Sequence, residues 1–121
     1  MKEYLFAYGQ FRDAAKTLLG NLEYCGKSTI NGKIYKVNEF YPGFVPSDSG
    51  KVIGDIFLID SYRFDDLDEF EGDEYVRIKQ RTSSDIECWV YAYRHDTFGF
   101  KEIKGGDWYL RQKDYEDNKK K

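Results

Sequence analysis

Histidine, cysteine and long apolar runs are scarce in this 121-residue chain, and each scarcity excludes a class of protein. With one histidine (His95) and two cysteines (Cys25 and Cys88), the sequence cannot supply the four ligands of an ordinary zinc site. So few cysteines indicate reduced thiols and favour a cytoplasmic protein over a disulfide-stabilised exported one. No apolar run approaches the ~20 residues of a membrane-spanning helix, and the start of the chain lacks the apolar core of an export signal. The sequence therefore predicts a cytoplasmic protein that does not use the membrane as a partner.

An excess of positive charge is also lacking, since 22 acidic residues outnumber 19 basic ones and the formal net charge is -3. This balance argues against nucleic acid as a partner, because binding it requires clustered lysine and arginine. The basic run 119–121 follows acidic residues and predicts a flexible, solvated charged tail over 113–121. The remaining residues, 1–112, are enough for one domain with its own core.

Aromatic residues, by contrast, are abundant: nine Phe, eleven Tyr and two Trp. A buried tyrosine hydroxyl requires a hydrogen-bond partner. Many of these tyrosines are therefore expected to line a surface or a cavity.

The pattern of apolar residues predicts five or six strands and two short helices. Strands are expected over 4–8, 23–30, 32–37, 52–59, 75–82 and 87–94, and helices over 12–19 and from an Asp60-Ser61 N-cap to Gly72. Asn31-Gly32 predicts a two-residue hairpin turn, and 39–50, which holds both prolines, predicts a loop. The hairpin order favours the α+β class: a small, mixed, mostly antiparallel β-barrel with short helices, whose inside can hold one small ligand.

The helix expected before Gly72 carries one acidic residue that points toward the core. On a helical wheel the apolar stripe, formed by Phe64, Leu67 and Phe70, is centred on Leu67, and Glu71 falls about 40° from that centre. Burial and the negative end of the helix dipole both disfavour a carboxylate there, so the pKa of Glu71 should be raised. A carboxyl group with such a pKa suits general acid–base catalysis.

A purely structural role for Glu71 is the alternative. The carboxylate could cap a neighbouring loop, or it could pair with Arg77 or Arg12. Either contact would account for an acidic residue on the inner side of the helix without any chemistry.

The turn Tyr8-Gly9-Gln10-Phe11 joins the first predicted strand to the first predicted helix. Glycine lets backbone N–H groups approach a ligand closely, and free N–H groups before a helix form a site for a carboxylate or an oxyanion. An ordinary strand-to-helix turn is the alternative interpretation.

Taken together, these segments resemble the gamma-glutamylcyclotransferase-like family, which includes gamma-glutamylamine cyclotransferases and avirulence-induced-gene-like small proteins. The resemblance spans about residues 4–108. The matching motifs, in chain order, are Tyr8-Gly9-Gln10-Phe11, Tyr41-Pro42-Gly43, Val52-Ile53-Gly54-Asp55, Leu67-Asp68-Glu69-Phe70-Glu71-Gly72, Tyr75-Val76-Arg77 and Gly106-Asp107-Trp108.

The resemblance implies an activity and a set of site residues. The substrate would be a small gamma-glutamyl amide, the product 5-oxoproline, and the catalytic acid/base Glu71. Tyr8 and Tyr75 would line the cavity and donate their hydroxyls, and N–H groups at Gly9, Gln10 and Phe11 would bind a carboxylate or the oxyanion. The reaction requires no metal or organic cofactor.

Two positions depart from the family's motif, because Gln10 and Phe11 stand where Ser or Thr and then Leu are usual. The departure keeps a second hypothesis open, a non-catalytic protein that binds a glutamyl-like ligand on the same fold. A nucleic-acid binder that stacks bases on its aromatic residues is a third, which the net charge of -3 disfavours.

Overall fold

The computed structural model describes residues 1–9 and 22–109, which contain six strands and one α-helix. The strands are β1 (Lys2–Ala7), β2 (Glu23–Lys36), β3 (Pro42–Asp60), β4 (Tyr75–Arg81), β5 (Glu87–Tyr93) and β6 (Lys101–Glu102). A 3-10 turn, Ser61–Arg63, leads into helix α1, Phe64–Glu71. The helix predicted over 12–19 and the tail predicted over 113–121 lie outside the described residues.

The strands form one curled, mostly antiparallel sheet in the order β4-β5-β1-β3-β2-β6. Strand β5 pairs in parallel with β1 at Leu5 and Trp89, and also with β3 at Phe44 and Ala92. This second pairing bends the sheet back on itself as a half-barrel. The predicted α+β class and the mostly antiparallel sheet are therefore confirmed.

The predicted hairpin turn at Asn31-Gly32 is wrong, because β2 continues through it and pairs along its length with β3. Asn31 lies opposite Lys51 and Gly32 opposite Pro46, so residues 47–50 bulge out of β3 instead. The ring of Phe44 fills the space that a Cβ at position 32 would occupy. Gly32 is thus required for packing and not for a turn.

The predicted loop over 39–50 is wrong for the same reason, since strand β3 already begins at Pro42. The connection between β2 and β3 is the short segment 37–41, where Asn38 Oδ1 accepts hydrogen bonds from the backbone N–H groups of Phe40 and Tyr41 at 2.8 and 2.9 Å. An Asn side chain bonded to the backbone two and three residues later is typical of a tight turn. The segment 52–59 is the inner part of β3, as its two apolar faces predicted.

Among the described residues, the inside of the half-barrel is a packed apolar core. Trp108 is fully buried in it. The other members of this cluster are Phe6, Tyr8, Ile30, Ile34, Phe44, Val52, Ile56, Cys88, Val90, Ala92 and Ile103. Large side chains fill the space because an interior made by so few strands is only wide enough for side chains or one small molecule.

Helix α1 covers the outer face of the sheet. Phe64 and Leu67 form a second apolar cluster there with Leu5, Ile59 and Tyr91. Within the described residues, no helix has the length and apolar character needed to cross a membrane.

Candidate active site

The end of helix α1 sets the position of Glu71. Gly72 follows the helix with φ 74°, and its N–H donates to the Asp68 carbonyl at 3.0 Å. Glycine adopts this left-handed conformation without strain, so the chain turns sharply there toward β4. The predicted stop at Gly72 is confirmed.

The start of the helix differs from the prediction. Asp60 makes no side-chain capping bond, and the Ser61 hydroxyl donates to the Met1 carbonyl at 2.9 Å. The 3-10 turn Ser61–Arg63 intervenes, so α1 begins three residues later than an Asp60-Ser61 cap would place it.

The predicted apolar stripe is wrong at Phe70, whose surface is 70% exposed. Phe64 and Leu67 are buried as predicted, and Glu71 is partly buried. On the wheel these three residues centre the inner face between Phe64 and Leu67, about 90° from Phe70. The same rotation turns Asp68 and Glu71 toward the sheet.

Glu71 occupies a desolvated position among tyrosines. Burial raises the pKa of its carboxyl group from the ordinary 4.5 to about 7. Burial also raises the pKa values of Tyr8, Tyr75 and Tyr91, and the charge of Glu71 adds to the increase at each. The charge of the Glu71 carboxyl group thus affects three hydroxyls, those of Tyr8 after β1, Tyr75 on β4 and Tyr91 on β5.

The structure contradicts the pairing of Glu71 with Arg77. Both oxygens of Asp68 accept hydrogen bonds from Arg77, from Nε at 2.9 Å and from Nη2 at 3.1 Å. Arg12, the other cation considered, lies outside the described residues. Partial burial alone would raise the pKa of Asp68, but the bonds from Arg77 and Tyr91 outweigh it and hold that pKa below its usual range.

The hydroxyl groups of Tyr8 and Tyr75 donate to the protein itself. Tyr8 Oη, which is buried, donates to the Tyr91 carbonyl at 2.6 Å and accepts from the Phe44 N–H at 3.1 Å. Tyr75 Oη donates to the Pro42 carbonyl at 2.8 Å. In this structure both hydroxyl protons form bonds within the protein, and the role of Tyr8 and Tyr75 in binding a ligand stays a prediction.

Gly9 lies where the Tyr-Pro-Gly segment packs against the end of β1. A Cβ at position 9 would lie 2.8 Å from Pro42 Cγ and 2.9 Å from Pro42 Cδ, closer than real Cβ contacts. The absence of a side chain thus lets β3 approach the Tyr8-Gly9 turn. Gln10 and Phe11, the other predicted residues of this turn, lie outside the described residues.

The structure thus brings Glu71, Tyr8, Tyr75 and Gly9 to one rim of the half-barrel. Sequence reasoning missed Asp68 and Tyr91, which are joined by a 2.7 Å hydrogen bond from the tyrosine hydroxyl. The sequence does contain a signal for Asp68. If the helical wheel is centred on Phe64, Leu67 and Glu71, Asp68 falls on the side that faces the sheet. Nothing local to the sequence marks Tyr91, since its partners come from distant segments.

Neither the thiols nor a metal offers a second chemistry in the described part of the chain. Cys25 and Cys88 are free thiols, and burial raises the pKa of Cys88 to about 12, which disfavours the nucleophilic thiolate. Among residues 1–9 and 22–109, no group of three or more His, Cys, Asp or Glu side chains could hold a metal ion. Acid–base chemistry by a carboxyl group is what this arrangement can perform.

Solved structures of similar shape support a common fold. The protein ytfP from Escherichia coli is 31% identical, with a TM-score of 0.71 over 90% of this chain and 98% of that one. An aig2-like protein from Mus musculus is 19% identical, with a TM-score of 0.64 over 81% of this chain and 90% of that one. A structure named gamma-glutamyl cyclotransferase is 16% identical, with a TM-score of 0.61 over 84% and 70% of the two chains.

The sequence itself matches one family. A search of curated proteins found no match. The family model described as "Gamma-glutamyl cyclotransferase, AIG2-like" matches residues 5–110, which include every part of the site described above. The chain therefore belongs to the AIG2-like gamma-glutamyl cyclotransferase family, as its motifs predicted.

Proposed function

We propose that this protein is a gamma-glutamyl cyclotransferase that releases 5-oxoproline from a gamma-glutamyl amide, with Glu71 as the general acid/base. The observation that carries the proposal is the partly buried carboxyl group of Glu71, whose pKa is raised to about 7 by desolvation. A general base works best with a pKa near the working pH. Membership of the family supports the class of reaction.

The reaction needs one proton to move between two nitrogen atoms. The free alpha-amine of the glutamyl group attacks its own side-chain carbonyl carbon, and a C–N bond closes a five-membered ring. Glu71 takes a proton from this amine and returns it to the nitrogen of the leaving amine as the amide C–N bond breaks. The products are 5-oxoproline and the free amine, and Glu71 ends in the state in which it began.

A pKa near 7 suits both halves of this transfer. At neutral pH the Glu71 carboxyl group is ionised in about half of the molecules, so it can accept a proton and is acidic enough to return it. An exposed carboxylate with an ordinary pKa would be a much weaker base. Desolvation by burial is therefore the feature that fits this residue to the chemistry.

The surrounding residues would bind and orient the substrate. The rings of Tyr8 and Tyr75 form the wall beside Glu71, and their hydroxyl oxygens keep lone pairs that can accept from the substrate's ammonium or amide groups. Backbone N–H groups of the turn at Gly9, Gln10 and Phe11 would hold the substrate carboxylate or the oxyanion. Holding the glutamyl chain in its folded form would supply the proximity that ring closure requires.

The test is a 5-oxoproline assay with a panel of gamma-glutamyl amino acids, gamma-glutamyl-lysine and other gamma-glutamyl amines. Glu71→Gln should lose at least ~100-fold in kcat/KM, as expected for a general acid/base. Glu69→Gln is the matched control, because Glu69 is an exposed glutamate on the same helix. It should retain wild-type activity.

Two outcomes would contradict the proposal. If folded wild-type protein forms no 5-oxoproline but binds glutamyl compounds, it is a binding protein on this fold, and activity gained by Gln10→Thr would identify the turn as the reason. If Glu71→Gln retains full activity, another group carries the proton.

A further inference from the structure

Asp68 and Arg77 form a planar, two-bonded ion pair beside the candidate base. Asp68 precedes Glu71 by three positions on α1, so their side chains are neighbours on one side of the helix. Arg77 reaches Asp68 from β4, the strand that follows Glu71 in the chain. Because Asp68 and Glu71 are about one helical turn apart, Glu71 is the carboxylate next to the one that Arg77 binds.

Three contacts hold the Arg77 guanidinium group at Asp68. The Arg77 guanidinium carbon lies 4.4 Å from the centre of the Phe64 ring and 4.3 Å from that of the Trp89 ring, so the group is held between two aromatic faces. The Tyr91 hydroxyl donates to the same oxygen of Asp68 as Arg77 Nε, which fixes the carboxylate from the β5 side. The aromatic rings attract the planar cation and limit its motion.

Hydrogen bonds through Tyr91 also link the Asp68–Arg77 ion pair to Tyr8. Tyr91 donates its hydroxyl proton to Asp68, and its backbone carbonyl accepts the bond from the Tyr8 hydroxyl. One tyrosine thus connects the ion pair to the buried end of β1. On the elements that pack around this part of α1, the charged groups include Asp68 on the helix and Arg77 on β4, which are paired with each other. The hydroxyls whose pKa values respond to the charge of Glu71 are those of Tyr8, Tyr75 and Tyr91.

We propose that Asp68 is a positioning residue of this site: it binds Arg77 between the Phe64 and Trp89 rings and so prevents the guanidinium from forming an ion pair with Glu71. The inference rests on the proposed role of Glu71. An ion pair with Arg77 would stabilise the Glu71 carboxylate and make it a weak base. Asp68 thus keeps Glu71 basic without contacting the substrate.

The two partners of the pair have opposite effects on the titration of Glu71. Replacing Asp68 with Asn removes a negative charge and leaves the Arg77 cation unbalanced, so the titration midpoint of Glu71 should fall. Replacing Arg77 with Gln leaves Asp68 unbalanced, so the midpoint should rise. At the spacing of neighbouring residues on a helix, one unit charge should move it by about 0.5 to 1 pH unit.

The experiment follows the Glu71 side-chain carboxyl carbon by NMR as a function of pH, with its signal assigned by its loss in Glu71→Gln. Asp68→Asn should lower the midpoint and Arg77→Gln should raise it. Arg81→Gln on β4 and Glu87→Gln on β5 are the matched controls, because each removes one member of an exposed ion pair whose atoms lie 3.6 Å apart. Both controls should leave the midpoint within about 0.2 pH unit of wild type, since exposed pairs are screened.

A network that merely stiffened the fold would give a different result. Loosening the site would admit water to Glu71 and lower its midpoint in both variants. Shifts in the same direction, or no shift in either, would overturn the proposal. The readout requires no turnover, so a protein that makes no 5-oxoproline would refute the proposed function while leaving this inference open to its own test.

One measurement on the wild-type protein covers the case in which a variant fails to fold. The Arg77 Nε–H signal should be protected from solvent exchange and should not titrate near pH 7, because its partner is Asp68. The same signal should be unchanged in Glu71→Gln. An Arg77 signal that titrates with the midpoint of Glu71 would assign the ion pair to Glu71 and overturn the proposal.

Discussion

Replacing Glu71 with Gln should stabilise the protein, and the gain should depend on pH. The carboxyl group has a pKa of about 7 in the folded chain and an ordinary value of 4.5 when exposed. Between these two values the folded protein binds more protons than the unfolded one, so its stability falls as pH rises. A glutamine at this position does not titrate, so the Glu71→Gln variant does not lose this part of its stability as the pH rises.

The size of the effect follows from the two pKa values. A shift of about 2.5 units is equivalent to about 3 kcal/mol, since one unit is 1.36 kcal/mol. The variant should gain almost none of this well below pH 4.5 and nearly the full amount above pH 7. For a domain of this length the gain equals roughly 10 °C in Tm, because the entropy of unfolding is near 0.25 kcal/mol per degree.

Urea denaturation of wild type and Glu71→Gln at pH 5 and pH 8 measures this difference. The difference in unfolding free energy between the two proteins should grow by about 2 to 3 kcal/mol from the lower to the higher pH. Glu69→Gln, exposed on the same helix, should show no such growth. An equal difference at both pH values would mean that Glu71 is not desolvated, and the argument for its role as a base would fail.

Three further substitutions test the walls of the site. Tyr8→Phe leaves a buried amide and the Tyr91 carbonyl without the Tyr8 hydroxyl, so chemical denaturation should show a loss of about 2 to 4 kcal/mol. Gly9→Ala forces a methyl group against Pro42, and we expect a rise in KM with a loss of about 1 to 3 kcal/mol in stability. Leu67→Ala removes the central buried contact of α1 and should cost about 2 to 4 kcal/mol by the same measurement.

Exposed positions supply the matched controls for Tyr8→Phe and Leu67→Ala. Tyr62→Phe and Phe70→Ala alter side chains that are 71% and 70% exposed, and each should change stability by less than about 0.5 kcal/mol. A loss of comparable size at the exposed positions would refute the packing argument. For Gly9→Ala, an unchanged KM would show that the approach of Pro42 does not shape the binding site.

The candidate base could be predicted from sequence because its position is local. The spacing of Phe64, Leu67 and Glu71 places all three on one side of any helix, whatever surrounds it. The error at Phe70 arose from centring the wheel on apolar residues alone. Helix geometry determines which residues share a face, but the packing of α1 against the sheet determines which face is buried.

The ion pair could not be predicted in the same way. Arg77 stood close enough in sequence to pair with either carboxylate of the helix, and the choice depends on the rings of Phe64 and Trp89. Phe64 lies on α1 and Trp89 on β5, so the two rings come together only when the helix packs on the sheet. A similar limit explains the Asn31-Gly32 error, because the ring that fills the space above Gly32 belongs to β3.

The connection between Tyr8 and Tyr91 has a consequence for how the protein folds. These residues are 83 positions apart, whereas β2 and β3 are joined by a short turn and can pair early at small entropic expense. The β2–β3 hairpin should therefore gain amide protection first during refolding, and the contact between β1 and β5 should come late. Since Tyr8 and Tyr91 are two of the tyrosines whose hydroxyls respond to the charge of Glu71, the raised pKa of its carboxyl group should be acquired in the last stage of folding, and would report that β1 and β5 have come together.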